Sequence, residues 1–165
     1  MNIEQLVKKA VKLLSRKNPS AAEARDVDFG VLRTMMMLAA VDGTISQGEM
    51  ARFWEYARQL KGVDASELDE LWKSALTSAG YLALQALMLD KDGMVDEFLR
   101  VVEKDFVKKL VPATSAVRKR AYRCLKAVAE ADGDYSPIEK ACISALVRRI
   151  RKAWEIKVAT QAVHL

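Results

Sequence analysis

From Ile3 to Leu14 the apolar residues recur as Ile3, Leu6, Val7, Ala10, Val11 and Leu14, with Lys8, Lys9, Lys12, Arg16 and Lys17 elsewhere on the surface. Spacings of three and four put such residues on one side of a helix. The pattern therefore predicts a basic amphipathic leader helix over 1–19, ended by Asn18-Pro19. Ser20 and Glu23 stand at capping-box spacing, and Asp26 or Asp28 is placed to start the next helix. That helix carries the apolar run Val31 to Val41, which predicts a central element buried on most sides. Met35, Met36 and Met37 within it point ~100° apart on a helix and cannot converge on a soft metal, so they read as core filler.

The next apolar face is Met50, Phe53, Trp54, Ala57 and Leu60, closed by Gly62. Ser66 and Asp69 are expected to open another helix, with Leu68, Leu71, Trp72, Ala75 and Leu76 inward and Gly80 dividing it from the apolar run Tyr81 to Leu89. Asp90 to Gly93 turns into a helix holding Val95, Phe98, Leu99, Val102, Phe106 and Leu110. Pro112 breaks the chain and Thr114 or Ser115 restarts it. Ala121, Leu125, Val128 and Ala129 follow, then Ile143, Leu146, Val147, Ile150 and Trp154 beyond Pro137. The expectation is an all-α, single-domain bundle of about seven helices without a long linker.

Two stretches repeat. "VDGTISQGEMA" (Val41 to Ala51) and "ADGDYSPIEKA" (Ala131 to Ala141) agree at Asp42/Asp132, Gly43/Gly133, Ser46/Ser136, Glu49/Glu139 and Ala51/Ala141. Gly43 and Gly133 can stop one helix, Ser46 and Ser136 can cap the next, and Glu49 and Glu139 complete the capping boxes. Pro137 suits the first helical position of the second copy. Two such hairpins suggest related repeats over about 28–80 and about 115–160 of a single domain spanning 1–165. The aspartates have two readings. Each caps N–H groups inside its loop, or Asp and Glu carboxylates converge on a hard cation of the Ca²⁺ or Mg²⁺ type through oxygen ligands. Glu130, Asp132, Asp134 and Glu139 make the second loop the richer candidate. Neither loop, nor Asp90 to Gly93, has the Gly and Glu positions of an EF-hand.

Composition narrows the remaining classes. Apolar residues at 51% and charged residues at 30% belong to a folded chain rather than a disordered one. A net charge of +5, without a reading motif, argues against a dedicated nucleic-acid binder. Cys124 and Cys142 form no CxxC pair and the single histidine is His164, so Cys/His metal sites are excluded. An antiparallel hairpin would bring the two thiols to similar heights, but helix cysteines of this kind are core residues first. No activated nucleophile, phosphate-cradling loop or histidine base points to an enzyme. With neither signal peptide nor membrane span, the expected location is cytoplasmic, or peripheral to an anionic membrane through Lys8, Lys9, Lys12, Arg16 and Lys17.

The helix ending "LAAVDG" followed by "SQGE", the helix ending "AVAEADG" followed by "SPIE", and the intervening "GVDASELDELW" resemble the TerB-like domains of tellurite-resistance proteins over roughly residues 25 to 155. The resemblance implies an all-α fold of two related helical repeats and a role in resistance to tellurite and other stresses. It also implies divalent-metal binding by acidic loop residues, here Asp42 and Glu49 in one loop and Asp132, Asp134 and Glu139 in the other. Similar domains attached to membrane-tethered co-chaperones imply a protein partner in a stress complex. The chain departs from the family pattern in its first loop, where Thr44 to Gly48 contains no acid. The oligomeric state is left open.

Overall fold

The computed structural model describes residues 5, 20–131, 133 and 135–163. The leader helix expected over 1–19 lies, apart from Gln5, outside the described residues. The described chain is helical throughout, with no strand among the described residues. Its helices are α1 (Ala21–Ala39), α2 (Gln47–Ala57), α3 (Ala65–Ala86), α4 (Lys91–Val102), α5 (Lys108–Leu110), α6 (Ser115–Ala129) and α7 (Pro137–Val163), with a π-helical segment, Glu103–Val107, between α4 and α5.

Helix α1 is the hub. It begins directly after Ser20, whose Oγ accepts from the Glu23 N–H at 3.2 Å while the Glu23 carboxylate accepts from the Ser20 N–H at 2.8 Å. The capping box thus starts the helix well before Asp26 and Asp28, which are interior positions. Met35, Met36 and Met37 are all buried, as are Leu38 to Val41, because α3, α6 and α2 surround this segment. Burying each methionine, leucine or valine here contributes roughly 1.5–3 kcal/mol. The one buried hydroxyl there, Thr34, donates to the Gly30 carbonyl at 2.8 Å and so is not orphaned.

Helix α3 starts at Asp64, whose side chain accepts from the Glu67 N–H at 2.9 Å, two positions before the Ser66 expected from sequence. It runs unbroken through Gly80, which therefore does not divide two elements. A lone glycine costs a helix only ~1 kcal/mol, and the face Leu71, Ala75, Ala79 and Leu82 packed inward outweighs it. Phe53 and Trp54 of α2 meet Trp72 of α3 with ring centroids 4.9 and 5.1 Å away, locking these helices together.

The π segment has a cause in the sequence. Phe98, Val102, Phe106 and Leu110 are spaced by fours, and all are buried. On a 3.6-residue helix each step of four drifts ~40°, so the stripe would rotate ~120° off the core. The wider π turn takes up this drift and keeps the four side chains on one line. The last helix packs chiefly on α4 and touches α6 only sparsely, so the second hairpin is splayed wider than a simple antiparallel pair.

Candidate functional site

The first loop is held by short-range bonds. The Gly43 N–H donates to the Ala40 carbonyl at 3.1 Å with φ at +95°, a left-handed turn that only glycine takes without strain. Asp42 Oδ1 accepts from the Thr44 N–H at 2.9 Å and the Thr44 hydroxyl at 3.1 Å. Its position at a helix C-terminus is thereby explained: it caps the loop rather than facing the helix dipole alone. Ser46 Oγ accepts from the Glu49 N–H at 3.1 Å, and Glu49 Oε2 accepts from the Ser46 N–H at 2.6 Å. Glu49 is buried by this arrangement.

The second loop uses the same devices. Gly133 has φ at +84° and donates to the Glu130 carbonyl at 3.2 Å. Glu139 Oε2 accepts from the Ser136 N–H at 2.8 Å, and Ser136 Oγ accepts from the Glu139 N–H at 3.3 Å. Glu139 is 2% exposed, and it and Glu49 are the only buried carboxylates among the described residues. Asp132 and Asp134 lie outside the described residues. Burial pushes the Tyr135 phenol up, and the negative charges of Glu130 and Glu139 add to the effect. Lys140 stands over the same ring, 5.0 Å from its centroid.

In the first loop Asp42 Oδ1 accepts two bonds, and Glu49, like Glu139 in the second loop, is turned inward onto its capping serine. Among the described residues no three His, Cys, Asp or Glu side chains are grouped to hold a metal.

The basic surfaces sort differently from their sequence pattern. Lys8, Lys9, Lys12, Arg16 and Lys17 lie outside the described residues. On α7, Arg149 pairs with Glu103 through Nε to Oε2 at 3.0 Å, and Arg151 pairs with Glu155 at 3.0 Å. Arg148 and Lys152 remain as exposed charges. No helix among the described residues is long and apolar enough to cross a membrane. At the corner between α3 and α4, Leu84, Leu87 and Met88, from the apolar run Tyr81 to Leu89, are 62%, 79% and 71% exposed.

Both cysteines are free and buried, in accord with a core role. Burial pushes the Cys142 thiol up to about 12, with nearby Glu139 adding to the effect. Cys124 is also pushed up by burial. Cys124 and Tyr56 line a cleft of about 560 Å³ between α1, α2, the α2–α3 loop and α6. No local sequence motif signals this cleft, because its residues come from four separate segments.

Residues 28–158 match the family model of the tellurite resistance protein TerB. No curated protein and no solved structure matches the chain significantly. With well over half of its length matched, and with the all-helical architecture described above, the chain belongs to the TerB family of tellurite resistance proteins.

Proposed function

We propose that this chain is a non-enzymatic stress-response protein of the tellurite-resistance type that takes a divalent cation in its second inter-helix loop. The cation is of the Ca²⁺ or Mg²⁺ class, held by oxygen ligands from Asp132 and Asp134, with Glu139 joining them by exchanging its bond to the Ser136 N–H for the ion. What carries this reading is the difference between two otherwise equal loops. Glycine, serine and glutamate suffice to build the turn in both, and Asp42 has a structural task in the first. The second loop holds acids beyond that need, Glu130 and Asp134. In this reading Asp42 and Glu49 are architectural, and the protein works in the cytoplasm, where its buried thiols stay reduced.

Calorimetric titration with Ca²⁺, Mg²⁺ and Zn²⁺ tests the proposal. The wild type should give saturable heat and a raised melting temperature with Ca²⁺ or Mg²⁺. Asp132→Asn/Asp134→Asn should lose both, whereas Asp42→Asn should keep them. No heat and no melting shift with any of the three ions would sink the cation reading.

A second reading, an interaction scaffold with purely structural loops, is favoured by the exposed strip Leu84, Leu87 and Met88. Isolated surface leucines are ordinary, but three neighbouring ones at this exposure suit a protein partner in a stress complex. Leu87→Ser/Met88→Ser should then abolish stress resistance in cells without changing the melting temperature. The membrane version of this reading predicts sedimentation with anionic vesicles at low salt, reduced by replacing Lys8, Lys9 and Lys12.

A further inference from the structure

We infer that the cleft between α1, α2 and α6 is a binding site for a small organic oxyanion, a carboxylate or phosphate monoester carried on an apolar body. At about 560 Å³ it falls within the range of small-molecule sites, roughly 300–1,000 Å³. Its inner wall is apolar, made by Val31 and Leu32 of α1 together with Leu60 and Val63 from the α2–α3 loop. Two polar groups sit at the wall, the Tyr56 hydroxyl and the Cys124 thiol. Such a lining accepts a ligand body that is mostly hydrocarbon.

The rim supplies the charge selectivity. Four cationic side chains line the cleft: Arg25, Lys61, Arg120 and Arg123. Arg120 is neutralised by Asp28 across the α1–α6 interface, and Arg25 by Glu67 of α3. Among the described residues Lys61 and Arg123 have no acidic partner. Both are exposed and line the cleft, one from the α2–α3 loop and the other from α6. Two uncompensated cations above an apolar wall attract an anionic head and leave its tail to the wall. This site shares no residue with the second loop and stands or falls independently of cation binding there.

The test uses the full-length protein, ¹⁵N-labelled, titrated with hexyl phosphate, hexanoate, hexanol and inorganic phosphate. The amides of Tyr56, Leu60, Lys61 and Cys124 should shift saturably with hexyl phosphate or hexanoate. Hexanol and inorganic phosphate should each bind at least ~10-fold more weakly, since one lacks the charge and the other the body. Lys61→Gln/Arg123→Gln, both surface changes, should weaken the anions by ~10-fold or more at an unchanged melting temperature. Equal binding of hexanol, equal binding by the double variant, or shifts confined to residues 84–89 would each overturn the inference. Sedimentation with phosphatidylcholine vesicles containing phosphatidic acid separates the two sources of a phosphate head. Lys61- and Arg123-dependent pelleting assigns the site to a lipid, and its absence, with hexyl phosphate still bound, to a soluble ester.

Discussion

The Arg118 guanidinium lies over the Trp154 ring, its Cζ 4.5 Å from the ring centroid. Helices α6 and α7 touch sparsely elsewhere, so this stacking is one of the few ties between them. The same guanidinium donates from Nη1 to the Ala113 carbonyl at 2.5 Å and the Val111 carbonyl at 3.4 Å, closing the chain after α5. Arg118→Ala removes the ring contact and leaves two half-buried carbonyls without their donor. Chemical denaturation should show a loss of about 2 kcal/mol. Arg118→Lys should recover only part of it, because an ammonium cannot stack and bond both carbonyls in one plane. An alanine variant as stable as the wild type would remove Arg118 from this role.

Three glycines should respond with opposite signs. Gly43 and Gly133 have φ at +95° and +84°, so alanine at either should cost ~1–2 kcal/mol. Gly80 lies inside α3, and a Cβ there would meet nothing within 4 Å. Gly80→Ala should therefore raise stability by ~0.5–1 kcal/mol. Melting curves of the three single variants decide the matter, and a destabilising Gly80→Ala would contradict the open space around it.

Glu97 gives the fold an acid-sensitive contact. Arg100 first, and then the Tyr81 hydroxyl, hold its carboxyl down from the ordinary 4.5 to about 2. Tyr81 donates at 2.5 Å and Arg100 Nε at 2.8 Å. A carboxyl lowered in the folded state contributes stability that is fully present above pH 4.5 and disappears as pH falls through about 2. A carbon-detected NMR titration should place its midpoint near the lower value. Glu97→Gln should flatten the corresponding part of the stability–pH curve, and an ordinary carboxylate midpoint would refute the contact.

Both thiols should be silent in the native protein. Cys142 is pushed up to about 12, burial raises Cys124 as well, and both sulfurs are shielded from solvent. A disulfide-exchange reagent such as DTNB should label neither in the folded chain and both after denaturation. Fast native labelling of Cys142 would mean that the start of α7 opens.

The local grammar of this chain was legible in its sequence. Capping pairs such as Ser46 with Glu49 act within one turn, and Gly43 and Gly133 act on their own backbone, so spacing alone identifies them. The burial of Met35, Met36 and Met37 was legible too, because an apolar run that covers every side of a helix must be central. Other features depended on which surfaces meet, and one strand of sequence does not contain that information. Leu84, Leu87 and Met88 belong to an apolar run, yet among the described residues they stand exposed at the α3–α4 corner. Asp28 read as a helix start, but it is an interior residue of α1 that neutralises Arg120 across an interface. The cleft that gathers Tyr56, Lys61, Arg123 and Cys124 exists only because α2 and α6 both pack on α1. Turn chemistry is a nearest-neighbour property and travels with the sequence, whereas pockets and exposed faces are made by partners far along the chain.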